Sequence, residues 1–284
     1  MSTTTHMTRM DDLPQEVAPP PHNPAPGPGI WSRTAWLTLP LAAILGSLVV
    51  WELVSQMSWL GLWTTYISNP IDAASAGYHL AASGELWTNT KGSLEAFVIG
   101  FALSAVVGIP LGLMMGWNRT LRQLLDPPLN ALNATPRLAL LPVIVVWLGI
   151  GVRSTVVVVF IDAVIPVIIN ATAGVREIDV KFIQVARSFG ASHRELFQKV
   201  LLPASTPAVL TGVRLAVARG VLGVIVAELY VSTVGIGHLI STYGQAYQVD
   251  QVVFLVVLVA VFGYLINLAL QRVEQHFESW RGAS

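Results

Sequence analysis

The sequence predicts an all-α integral membrane protein with about six transmembrane helices. Three observations carry this. Hydrophobic residues make up 54% of the chain and charged residues only 11%, with a mean hydropathy of +0.63; soluble domains carry about 25% charged residues. Apolar runs of about 20 residues, enough to cross a ~30 Å hydrocarbon core, recur along the 284 residues. Formal net charge is zero, yet lysine and arginine are shared unevenly among the segments between those runs.

Residues 1–30 hold Asp11, Asp12 and Glu16 and then a Pro/Gly-rich run from Pro19 to Gly29. Such a composition buries nothing, so a disordered tail is expected; it lacks the basic start and apolar core of a signal peptide. Residues 31–92 are expected to form the first span, about Thr34 to Leu53, and an interfacial segment. Trp31 and Trp36 at one end and Trp51 and Trp59 at the other fit interfacial belts. A short amphipathic piece is expected around Pro70–Trp87, near Trp63, Tyr66 and Tyr78. Residues 93–284 form the membrane core.

The second span, about Leu94 to Trp117, contains Pro110 and a series of glycines; Gly108 and Gly112, four apart, permit close helix packing in lipid. A polar stretch from Asn118 to Arg137 follows, with the pair Pro127-Pro128. Leu138 to Ile150 is apolar but short, so it reads as the continuation of a helix broken near Pro136. A turn at Gly149–Arg153 leads to a fourth span, Thr155 to Ala173, carrying Asp162 and Pro166. Pro207 to Val231 makes a fifth span and Val252 to Leu270 a sixth; Ser232–Asp250 between them reads as a re-entrant or surface-lying piece.

Residues 174–203 are the longest charged interruption. Ile183, Ala186, Phe189, Gly190, Leu196, Phe197, Val200 and Leu201 recur at helical spacing among Lys181, Arg187, Arg194, Glu195 and Lys199. The segment is therefore amphipathic, and Ala186 and Gly190 are expected to leave a shallow patch on one face. With six spans and the N-terminus inside, twelve of the basic residues, from Arg9 to Arg281, fall inside. Arg214 and Arg219 lie in the inner half of the fifth span, and only Lys91 and Arg153 remain outside. The loop and both termini are thus expected to be cytoplasmic.

No catalytic constellation is readable. Lys91, Lys181 and Lys199 precede Gly92, Phe182 and Val200, so there is no GxxxxGK[ST] phosphate loop. The six histidines are scattered without metal-ligand spacing, and there is no cysteine. A non-enzyme without cofactor or metal is expected, and nothing points to nucleic acid. Ionisable groups at membrane depth are costly and face a bundle interior or a cavity. Asp162 and Glu228 could line a pathway or tie helices together, and Arg153 could serve an anion; Glu52 and Glu95 lie near the outer interface.

The loop also carries a resemblance. Gln184-Val185-Ala186, three residues, Gly190, nine residues, and Val200-Leu201-Leu202-Pro203 resemble the E-A-A-x3-G-x9-I-x-L-P loop of ABC importer permeases. Spacing is kept to the residue, with Gln184 in place of Glu, Val185 of Ala and Val200 of Ile. Further pieces lie in order between about Ser93 and Ile240: Gly100-Phe101, Gly108–Gly112, Leu125-Asp126-Pro127, Pro136, Ala139–Pro142, Trp147–Gly151, Ala227-Glu228 and Gly235-Ile236-Gly237. Together they resemble the permeases of the nitrate/sulfonate/taurine/bicarbonate group.

That resemblance implies the type I importer (MetI-like) fold in an inner membrane. It also implies two cytoplasmic ATP-binding subunits, an extracytoplasmic solute-binding protein and a second permease subunit, as a homodimer in the bilayer. Gln184, Ala186, Arg187, Gly190, Ala191, Leu202 and Pro203 would belong to the ATPase-coupling loop, with Pro203 stopping the loop before the fifth span. The solute would be a small anion such as a sulfonate, taurine or nitrate; aromatic acids and thiamine-precursor-like compounds are open too. A proton- or ion-coupled secondary transporter or channel using Asp162 or Glu228 is the alternative, and a passive anchor for an ATPase a third reading.

Overall fold

Glycine spacing decides how the centre of this molecule is built. In the computed structural model, which describes residues 30–56 and 67–278, α3 (Glu85–Trp117) lies along α6 (Val152–Arg176). Gly100, Gly108, Gly112 and Gly116 press on it turn by turn. A Cβ on Gly112 would stand 2.7 Å from both the Ala171 Cβ and the Ile168 carbonyl oxygen. Without side chains in between, the two backbones approach closely, and dispersion replaces the hydrophobic drive that lipid removes.

α6 is the central element. Val159, Ala163, Val167 and Ala171, four apart, are fully buried. On its other side runs α9 (Leu202–Val231), where Gly212 and Gly223 admit Asn170 and Asp162 of α6. The other described helices are α1 (Ile30–Ser55), α2 (Pro70–Ala82), α4 (Arg119–Ala134), α5 (Leu141–Leu148), α7 (Val180–Ser188), the single turn α8 (His193–Leu196), α10 (Ile236–Gln245) and α11 (Val249–Glu278). Every regular element among the described residues is helical. By contacts the chain divides into residues 1–50 and 51–284.

Four described helical runs are long and apolar enough to cross a membrane, five if α4 and the following Leu138–Leu148 count as one span bent by 94°. The backbone of α1 covers the predicted first span. The predicted tail and the aromatic residues Trp59, Trp63 and Tyr66 lie outside the described residues, as does Arg281.

Local chemistry sets the boundaries. The Asn69 side chain accepts the Asp72 N–H at 2.7 Å and Pro70 opens α2. Asn118 accepts from the N–H groups of Thr120 and Leu121, turning the chain from α3 into α4.

The polar stretch after Asn118 is mostly this helix. Leu121, Leu125 and Leu129, one turn apart, pack with Met115, Ile165 and Ile168, so an amphipathic helix forms despite Pro127 and Pro128. The predicted break stands at Pro136, followed by a 3₁₀ turn from Arg137 to Leu140 and then α5. The boundary expected at 92/93 falls inside the continuous α3.

Two expectations about the loop need correction. Pro203 does not stop it: the chain is helical without a break from His193 to Val231. A π-type turn over Phe197–Leu201 precedes the proline, with the Leu202 N–H donating to the Phe197 carbonyl. That widened turn takes up the crowding a proline imposes on the preceding helical turn. Nor is the loop one amphipathic helix; it breaks at Gly190 into α7 and α8.

Candidate functional site

The loop at residues 174–203 is built from a short helix, a left-handed turn and a capped restart. Asp179 accepts the Lys181 N–H at 2.9 Å and starts α7. α7 ends because Gly190 adopts φ +77°, a region that an L side chain resists. Around that turn the Gly190 N–H donates to the Arg187 carbonyl (2.9 Å) and the Ala191 N–H to the Ala186 carbonyl (3.1 Å). Ser192 then caps α8 through a reciprocal box with Glu195, and Lys199 bonds the same carboxylate at 3.0 Å. Lys199 and Ser192 hold the Glu195 carboxyl down to about 2.

This geometry revises which face is exposed. Ile183 packs inward with Ile178, Phe197 and the buried Leu201, and Ala186 is half-buried. Gly190 is not a docking patch beside Ala186: it sits past the helix end, and a Cβ there would meet nothing within 4 Å. Its task is the turn. The outward face carries Phe182, Val185 and Phe189, exposed by 66, 56 and 87%. Gln184 and Arg187 are exposed beside them and Ala191 is half-buried. Leu202 and Pro203 are exposed at the start of α9; Pro203 lines a cleft of about 890 Å³ with Asp179, Phe182, Lys199 and Pro207. Trp117, ending α3, meets the His193 ring edge-to-face at 6.1 Å, joining the core to the loop.

The opposite end of the bundle is stitched together by polar groups. Three consecutive backbone N–H groups at the start of α10 are each bonded by a side chain from another helix. The Gly235 N–H donates to Asn89 Oδ1 (2.8 Å), the Ile236 N–H to Ser93 Oγ (2.8 Å), and the Gly237 N–H to Glu228 Oε2 (2.9 Å). Ser93 Oγ–H donates in turn to Glu228 Oε2 at 2.7 Å. Gly235 has φ +129°, and a side chain there would collide with the Glu228 carboxylate. At the other end of α10 the Tyr243 hydroxyl donates to Glu85 Oε2 at 2.8 Å. Burial, with the Glu85 carboxylate beside it, pushes that hydroxyl up to about 12.

Arg153, Asp162 and Glu228 are thus not assembled into one site. Glu228, buried, ties α3, α9 and α10. Asp162, also buried, sits against Gly223, whose missing side chain makes room for Oδ2. Arg153 is exposed in the first turn of α6, beside the bond from the Gly151 N–H to the Val231 carbonyl. Sequence reading did not give Asn89 and Ser93 a role. The signal was thin: Asn89 and Ser93 stand four apart on one face of the polar start of α3.

The sequence matches the family of binding-protein-dependent transport system inner membrane components over residues 108–281. It is 35% identical, over 84% of this chain and 90% of the relative, to the aliphatic sulfonates transport permease protein SsuC of Escherichia coli. It is 28% identical to the taurine transport system permease protein TauC of the same organism, over 89 and 93%. With the bicarbonate transport system permease protein CmpB of Synechococcus elongatus it shares 32% over 81 and 86%. A chain of the MetNI methionine ABC transporter, solved in inward-facing conformations, superposes with a TM-score of 0.62 at 20% identity, over 69% of this chain and 98% of that one.

Proposed function

The chain belongs to the binding-protein-dependent transport system inner membrane components, and on that footing we propose how it works as the permease subunit of an ATP-driven importer. The permease carries no chemistry of its own; ATP hydrolysis falls to two ATP-binding subunits that dock on α7. The observation that carries the coupling half is the apolar face of Phe182, Val185 and Phe189, held outward on a helix whose other face is packed against the bundle. Exposed aromatic and aliphatic side chains in a charged loop fit a helix-in-groove contact. Gln184, Ala186, Arg187, Gly190 and Ala191 complete that loop, and Gln184 makes the contact without a carboxylate.

Force reaches the membrane through Leu202 and Pro203. Because the helix is unbroken from His193 to Val231, a push on α7 and α8 reaches α9 through a π turn that can rewind. The loop and both termini face the cytoplasm, in keeping with the distribution of lysine and arginine. A second copy completes the pathway and a solute-binding protein delivers the cargo at the face bearing α10. The cargo is a small anion of the sulfonate, taurine or bicarbonate kind, the class that the names of the similar permeases share.

The test is uptake into liposomes holding the permease with its ATP-binding subunits and binding protein, across ethanesulfonate, taurine, nitrate and bicarbonate. ATP-dependent accumulation of one class is expected. Accumulation that ignores ATP and follows a proton gradient would overturn the reading. Val185→Asp and Phe189→Asp should each abolish co-purification of the ATP-binding subunits from membranes in which the permease is inserted; wild-type recovery of the complex from both would dismiss the docking face.

A further inference from the structure

Arg219 is a charge placed where a lipid-facing helix could not keep it. It is exposed, and among the described residues it has no hydrogen bond or ion pair within the chain. It belongs to one exposed stripe of α9 with Leu215 (47%), Leu222 (66%) and Tyr230 (70%), all apolar or aromatic apart from Arg219 itself. The opposite face of the helix is buried through Ala216, Gly220, Val224 and Ala227.

Its depth follows from the helix contacts. α9 runs antiparallel to α6: Gly174 faces Ala208, Asn170 faces Gly212, and Asp162 faces Gly223. Arg219 therefore lies near the level of Ala163, half-way along the 25-residue α6. It is roughly 18 Å of helix from Val231, at 1.5 Å per residue. A guanidinium at that depth cannot reach either interface by snorkelling, and exposure to hydrocarbon is costly. The stripe must then face water or a second protein surface.

We infer that Arg219 lines the translocation pathway and is the residue that recognises the anionic group of the cargo in transit. This rests on the permease reading above and deepens it. A guanidinium presents parallel N–H donors that match the oxygens of a sulfonate or carboxylate, and it keeps its charge at any physiological pH. The neighbouring apolar residues offer nothing further to an anion, so the contact is single and weak enough to release.

The chain contains no cysteine, so Arg219→Cys supplies a unique thiol in the permease. In the assembled transporter in liposomes, R219C should react with a charged, water-borne methanethiosulfonate at least tenfold faster than V106C, whose side chain is 71% exposed at a similar depth on α3. In uptake assays with ethanesulfonate and taurine, R219A should raise KM at least tenfold, and R219K should recover part of the loss. Labelling of R219C at the V106C rate would overturn the pathway assignment, and sulfonate uptake by R219A at wild-type KM would overturn the recognition role. Failure of the wild type to move any anion with ATP would count against the permease's proposed cargo instead, and is told apart because the labelling requires no transport.

Discussion

The two ends of this bundle use the same residue types for opposite purposes. At the α10 end, Gly235, Ser93, Asn89 and Glu228 converge from three helices, and the N–H groups of Gly235, Ile236 and Gly237 each have a side-chain partner. At the loop end, Gly190, Ser192 and Glu195 bond only to neighbours in sequence, and three large apolar side chains are left uncovered. Both ends have a glycine at positive φ. One is enclosed by a carboxylate from another helix; the other has open space around it. Non-local ties make the first end a rigid assembly, whereas local caps make the second a self-contained hook that keeps its shape while its face is free to bind.

Substitutions should separate the ends. The largest effect is expected from Gly235→Val, which forces a branched side chain into the Glu228 carboxylate at φ +129°. Folded, monodisperse protein should be lost in detergent extraction; a wild-type melting curve would refute the crowding. Next, Glu228→Ala leaves the buried Gly237 N–H and the Ser93 hydroxyl without their acceptor, a loss of about 2–4 kcal/mol in thermal unfolding. Glu228→Gln keeps an acceptor oxygen and should lie within about 1 kcal/mol of wild type. If Gln were as damaging as Ala, the tie would depend on charge rather than on hydrogen bonding.

The loop end should respond far less. Gly190→Ala pays only the left-handed backbone strain, about 1 kcal/mol, because no atom lies within 4 Å of the new methyl. Its melting curve should shift slightly and uniformly. Smallest of all is the pH response of the α8 cap. Glu195 is held down to about 2 from an ordinary 4.5, first by Lys199 and then by Ser192. A lowered folded value means that the cap's contribution is complete above about 4.5 and disappears as pH falls toward 2. A carboxyl NMR titration should place the Glu195 midpoint near 2, and Lys199→Ala should move it upward; an unchanged midpoint would dissolve the assignment.

Much of this was legible in the chain. Apolar length gave the spans, because a bilayer admits little else, and the spacing from Gln184 to Pro203 gave the loop, because that pattern is local. The glycines of α3 announced close packing but not the partner. Periodicity misjudged the loop's faces: it grouped Ala186 with Gly190, although φ +77° puts Gly190 beyond the helix end. It also read Pro203 as a stop, since a proline marks a helix boundary only when no widened turn precedes it.

What the sequence determined by itself was therefore what depends on near neighbours: the spans, the charged loop and the family pattern. What only the tertiary structure decided was which distant polar groups meet. Asn89 and Gly235 are 146 residues apart, and Ser93 and Glu228 are 135 apart. No local pattern encodes such pairs, because their bonds exist only once glycine-lined helices have closed on one another. Arg219 follows the same rule. Its charge is plain in the sequence, but its mid-bundle level and its open face follow only from how α9 lies against α6.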